Sequence, residues 1–396
     1  MLRVLTAGES HGPALTAIIE GLPAGMPVDV EKINHLLAQR QEGYGRGNRM
    51  KIETDQVEIT SGIRHGKTLG SPVTLVVVNH DYSNWEGIMD SESVDENIAN
   101  QRTVHQPRPG HADLVGGIKY RHKDLRNVLE RSSARETTMR VAVGALAIQL
   151  LEGLGIKFAN YVSEIGKFKS KVDPANYTID QLQNLSDQSE LKMIDHSMED
   201  EIKAYIDEVR LSGNTLGGIV EIVIEGVPMG LGSYVQFDRK LDGRLSQAMM
   251  SINAFKGVEI GDGFESARRL GSEVMDEIAY SDETGFFRQS NHLGGFEGGM
   301  TNGMPIIIRG AKKPIPTLYQ PLESVNVLTK EPYVASVERS DTTAVPAASL
   351  IAKTVIATEI ASAVLEKFSA DTYQELIKDI QRYREYTKNP DIWQGE

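Results

Sequence analysis

Hydrophobic positions recur at helical spacing in four stretches of the chain. Val30, Ile33, Leu36 and Leu37 share one face after Asp29, a residue suited to cap a helix, and the pattern stops at Gly43. Arg40 falls in the last turn of that helix, where a cation suits the helix dipole. Thr137 to Leu151 is apolar almost all round and is followed by Gly153 and Gly155, which predicts a helix inside the protein. Leu245, Met249, Ile252 and Phe255 give a third helical stripe, ending at Gly257. Pro346 suits a first helical turn, and Leu350, Ile351, Val355, Ile356, Ile360 and Val364 follow at helical spacing. Strands are predicted at Val73 to Val78 (VTLVVV), Gly218 to Glu225 (GIVEIVIE) and Pro305 to Arg309 (PIIIR). Interspersed helices and strands with buried helices predict an α+β layered fold, whose topology propensity alone does not give. The stretch from Lys169 to Glu208 is polar, acidic and poor in glycine, with two weakly capped surface helices. It reads as an elaboration at about 169–208 within a single domain spanning residues 1–396.

Composition narrows the function. A chain of 396 residues with 40% hydrophobic and 24% charged residues can bury a substantial core. A net charge of −13 argues against a general binder of nucleic acid or anionic membranes, so any anionic ligand needs a local basic pocket. The absence of cysteine excludes disulfides, thiolate metal sites and cysteine nucleophiles. VTLVVV is too short to cross a bilayer, and MLRVLTAGESHGPA lacks the apolar core of a signal peptide. A cytoplasmic protein is the expectation.

Candidate chemistry sits in glycine-rich, basic segments. RQEGYGRGNRMKIE gathers Arg40, Arg46, Arg49 and Lys51 around three glycines, with Glu42 the one acid before Glu53. Glycine lets the backbone approach a ligand closely, and arginine grips carboxylate or phosphate oxygens with a planar fork. GESHGPAL places His11 between Gly8 and Gly12 after a predicted strand; RPGHADLVGG places His111 beside Arg108 and Asp113. RSSARETTMR carries Arg131, Ser132, Ser133 and Arg135 at the head of the buried helix, a place suited to phosphate. SNHLGGFEGGMTNG, KKPIPT and ERSDTTAVP complete the set. None is a Walker A loop, a GxGxxG fingerprint or an HExxH zinc site, so no metal is expected. Rigid polar loops of this kind suit a flat heterocycle whose edge takes several hydrogen bonds.

Taken in order, these segments, with DGRLSQAMMSINAFKGVEIGDGF, resemble the chorismate synthase family from Gly8 to beyond Ala348. The resemblance implies a β-α-β sandwich with helices packed between antiparallel sheets, and a homotetramer. It implies conversion of 5-enolpyruvylshikimate 3-phosphate to chorismate by 1,4-anti elimination of phosphate and a proton. Reduced FMN is required without net redox change. The same resemblance assigns Arg40, Arg46, Arg49, Arg108, Arg135 and Arg339 to substrate anions, with NADPH as the alternative for Arg40 and Arg46. It assigns flavin to Arg131, Ser132, Ser133, Asn253, Ala254, Gly298, Lys313, Pro314, Ile315, Pro316, Thr317 and Arg339. His11 would donate a proton to the leaving phosphate, His111 would stabilise charge on the flavin, and Asp341 would relay a proton. His292 stands between flavin contact and loop scaffolding; Glu9 and Asp113 are read as orienting neighbours. The flavin is reduced either by this chain with NADPH or by an external flavin reductase. Two rivals stay open: an oxidoreductase that turns over NADPH, and a non-catalytic regulator that binds a phospho-metabolite.

Overall fold

The computed structural model describes residues 2–47, 55–92, 95–338, 340–390 and 392. Two antiparallel sheets enclose a layer of helices. The first sheet holds β1 (Arg3–Ala7), β2 (Ala14–Glu20), β3 (Glu58–Ser61) and β4 (Val73–Val78), in the order β1-β2-β4-β3. Side chains alternate across its two faces, so Leu15, Ala17 and Ile19 of β2 and Val73, Leu75 and Val77 of β4 point into the core. The second sheet holds β5 (Lys157–Ile165), β6 (Phe168–Lys169), β7 (Gly218–Glu225), β8 (Phe255–Ile260) and β9 (Ile306–Lys312). Its order is β8-β9-β7-β5-β6, again antiparallel throughout.

The filling consists of α1 (Val30–Gln41), α2 (Thr137–Glu152), α3 (Leu241–Met250) and α4 (Val345–Lys367). α2 lies on the first sheet, α4 on the second, and the two pack against each other. Both are apolar around their whole circumference because each is covered on every side, as the sequence predicts for α2. They meet at Gly144, where an added Cβ would overlap the side chain and carbonyl of Thr354. α4 is also long and apolar enough to span a bilayer by length and composition, but 89% of its most apolar window is buried in this core. The polar residues Lys353, Thr354 and Glu359 break up its apolar run in the sequence.

Asp29 caps α1 as expected, its carboxylate accepting from the N–H groups of Glu31 and Lys32. The third stripe needs correction. α3 stops at Met250, and Phe255 opens β8. Ser251 caps the helix, and Ala254, whose φ of 72° is left-handed, turns the chain into the strand. The polar stretch forms helices Ile179–Gln188 and Glu199–Leu211, the first carrying a full capping box between Thr178 and Gln181. Ile179 and Leu182 cover the outer face of the second sheet over Ala159, Tyr161 and Val223. This explains why GIVEIVIE lacks polar alternation: both faces of β7 are covered.

Candidate active site

The loop after β1 turns back at Gly8 and delivers His11 to a buried position. Its ring stacks on Trp85 at 3.8 Å between centroids. Glu130, on the short helix Arg126–Ser132, accepts from the His11 N–H at 2.8 Å and bonds its Nδ1 at 2.9 Å. That leaves Nε2 as the ring atom available to a ligand. Burial alone would raise the Glu130 carboxyl, but hydrogen bonds from His11 and Arg126 outweigh it and hold it below the ordinary value. Arg126 donates to Glu130 at 3.0 Å and to Glu338 at 3.2 Å, and Arg102 lies 3.9 Å over the Trp85 ring. Arg131 is tied to the carbonyls of Gly8 and Thr6, and the Ser133 hydroxyl bonds that of Ser10 at 3.2 Å.

Arg40 and Arg135 converge on one carboxylate oxygen of Asp55, at 2.9 and 2.8 Å. The two buried guanidiniums share that one acceptor atom. Burial pushes Arg40 below its ordinary pKa, with Asp55 opposing, while the two arginines overcome burial to hold Asp55 low. The buried Arg40 Nε has no hydrogen-bond partner. Arg46 pairs with Asp341 at 2.9 Å, and the other Asp341 oxygen accepts from the Gly47 N–H at 2.7 Å. Gly45, at φ 86°, packs its backbone on Thr343, whose methyl a Cβ would crowd. Tyr44 donates to Asp207 at 2.7 Å, so the polar elaboration braces this basic loop from outside. Lys312, buried at the end of β9, is pushed down to about 8 by burial and by Lys313, with Asp341 opposing.

A third cluster surrounds His111. Arg108 donates to Asp113 at 2.9 Å and to Thr317 at 2.9 Å, and His111 Nδ1 lies 2.6 Å from the fully buried Asp113. Burial raises Asp113, but His111 and Arg108 together depress it far below the usual carboxylate range. Gly110 brings this loop against Lys313 and Pro316. Arg108, Gly110 and His111 border an open groove of about 1140 Å³, walled by Leu114, Val325 and Tyr333.

The sequence positions assigned to flavin are distant in the chain, yet a line of contacts joins most of them. Asn253 donates to the Ser132 carbonyl at 3.1 Å, the Ala254 carbonyl accepts from Lys313 N–H at 2.9 Å, and Thr215 holds the Ile315 carbonyl at 2.8 Å. The Asn253 side-chain oxygen is buried and has no hydrogen-bond partner among the described residues. Gly298 lies apart, in the tight hairpin of Phe296–Glu297 and Met300–Thr301 beside Tyr234. Ser132 does not head the buried helix. It closes Arg126–Ser132, its hydroxyl donating to the Val128 carbonyl, while Ser133 caps the turn that leads into α2. His292 is tied to Asp262 and Asp276, which places it in the scaffold of its own loop. Arg49 and Arg339 lie outside the described residues.

Four participants escape the sequence reading: Asp55, Trp85, Arg126 and Glu130. Their partners lie up to 212 positions away, and apart from the i,i+4 pair of Arg126 and Glu130 no local spacing signals them. Lys312 is visible in KKPIPT, but its burial is not.

Residues 2–365 match the family model for chorismate synthase. The chain is 62% identical over 388 residues to a chorismate synthase of Enterococcus faecalis (strain ATCC 700802 / V583), covering 98% of this chain and all of that one. It is 59% identical over the same length to one of Streptococcus pneumoniae (strain ATCC 700669 / Spain 23F-1). A crystal structure of a chorismate synthase superposes with a TM-score of 0.80 at 44% identity, covering 98% of both chains. With its β-α-β sandwich and its clustered arginines and histidines, the chain belongs to the chorismate synthase family.

Proposed function

We propose that this enzyme is a lyase that converts 5-enolpyruvylshikimate 3-phosphate to chorismate with reduced FMN. The observation that carries the reading is the pair Arg40–Arg135 gathered on Asp55, two buried guanidiniums close to the Ser133–Ser10 contact and the His11 loop. The substrate brings one phosphate and two carboxylates, and each charge-assisted hydrogen bond to them contributes roughly 1.5–3 kcal/mol. Arg40 and Arg135 are fixed in advance by Asp55, and Arg46 by Asp341, so little side-chain entropy is lost on binding.

The residues present fit a flavin. Asn253 offers a buried acceptor lacking a partner, the left-handed turn at Ala254 opens the backbone, and Lys313 to Thr317 form a rigid edge beside Arg108. Reduced FMN, when bound, supplies electron density as phosphate leaves and recovers it, so the reaction is redox-neutral. His11, held at Nδ1 by Glu130, presents Nε2 to protonate the leaving phosphate, where charge grows as the C–O bond breaks. His111 donates its Nδ1–H to Asp113, a carboxylate that also accepts from Arg108, which fixes the ring for one orientation toward the flavin site. Asp341, bonded to Arg46 and the Gly47 N–H, accepts and passes on the departing proton. Arg40 and Arg46 take substrate anions, with NADPH as the other ligand of matching charge. The reading includes a cytoplasmic homotetramer.

Anaerobic incubation with substrate and catalytic reduced FMN tests it. Many turnovers of phosphate per flavin are expected. One NADPH oxidised per product would indicate an oxidoreductase, and tight binding without phosphate release a regulator.

A further inference from the structure

A second cavity, of about 450 Å³, opens between α1, α2, α4 and the start of β5, within the size range of small-molecule sites. Leu36, Ile148 and Phe158 give it an apolar wall, and polar and charged side chains complete the lining. The most deeply buried charge among them is Lys353, which comes from the middle of the long apolar helix α4 and is only 7% exposed. An ammonium has three donors, and one acceptor is recorded here, the Gln183 side-chain oxygen at a long 3.3 Å. No carboxylate lies within ion-pair distance of it among the described residues. Asp187 is engaged by Lys192 at 3.1 Å and by Gln183, while Glu152 reaches outward to Lys32 at 3.4 Å. Isolated buried charge costs several kcal/mol unless a counter-ion arrives.

The cavity is distinct from the site above. α1 and α2 run antiparallel, joined at this end by the paired bonds of Asp29 with Gln149. At their other end stand Arg40 and Arg135 on Asp55. Eight residues of α1 separate Lys32 from Arg40, about 12 Å along the axis.

We infer that this cavity is a binding site for a small monocarboxylate with an apolar body, its carboxylate on Lys353 and its body on Leu36, Ile148 and Phe158. One ammonium neutralises one carboxylate. The mouth carries Asp29, Glu31 and Glu152 against Lys32 and His35, an arrangement that disfavours a phosphate dianion.

Calorimetric titration of the full chain with 3-phenylpropionate, 3-phenylpropanamide and phenyl phosphate tests this. One saturable site for the carboxylate is expected, with at least tenfold weaker binding of the amide and the phosphate. Lys353→Met and Ile148→Trp, checked for cooperative unfolding, should each weaken the carboxylate at least tenfold. Absence of saturable binding, equal affinity for the amide, or unchanged affinity in a folded Lys353→Met would overturn the inference. So would displacement of the probe by FMN, which would place it in the first site.

Discussion

Asp55 accepts from two guanidiniums through a single oxygen, and that oxygen sets the geometry of both cations. Asp55→Asn would take from Arg40 and Arg135 the buried carboxylate on which both are held. Loss of a buried partner costs about 3–5 kcal/mol, and the drop should appear as a lower urea midpoint. Asp55, Asp113 and Glu130 all have folded-state pKa values below their ordinary ones. The unfolded chain therefore takes up protons first as pH falls below about 4, and stability present above that value is lost on acidification. Lys353 works in the opposite range. Burial pushes it down to about 8 from an ordinary 10.5, so the unfolded chain holds the extra proton between those values and stability rises with pH across that window. Lys353→Met should remove its share of this slope and add roughly 2–3 kcal/mol at neutral pH. A series of urea melts from pH 3 to 10 reads both effects. None of these values was legible in the sequence, because burial and the partner of each acid are properties of the fold.

At the scale of elements, periodicity located what was locally determined. α2, α4 and β7 lie where apolar spacing puts them, and β9 begins one residue after the predicted start. Phe255 failed because its spacing from Met249 and Ile252 continues a helical stripe by coincidence, while the turn into the strand at Ala254 depends on a backbone angle that alanine rarely adopts. The helix–helix contact at Gly144 carries a sharper prediction. Gly144→Ala would force Cβ into Thr354 of α4, where backbone and helix axis must both shift, and should cost about 1–3 kcal/mol. Thermal melting checks it. The polar stretch looked uninformative, yet its Glu199–Leu211 helix holds the basic loop through Asp207 and Tyr44. Tyr44→Phe removes a hydrogen bond of about 1 kcal/mol and should raise KM for substrate about fivefold with little change in kcat.

For the whole molecule, a net charge of −13 coexists with a local site in which buried arginines are gathered at one point. The motifs were legible as a set; their convergence was not, since Arg40, Arg135 and Asp55 meet only when α1 and α2 pack. Exposed Val4, Leu5 and Ile18 on the first sheet, with Phe264, Leu270 and Ile278 elsewhere, suit burial between subunits. Light scattering should give four times the mass of the chain. In the proposed reaction these groups form one elimination site, with His11 as the proton donor to phosphate. The direct measurement is anaerobic quantification of chorismate and phosphate together, for native chain and His11→Ala, with FMN retention followed by its absorbance. Equal amounts of both products from the native chain, and a rate reduced about a hundred- to ten-thousand-fold in a flavin-bound His11→Ala, are predicted. Full turnover by that variant, or phosphate released without chorismate, would contradict the account.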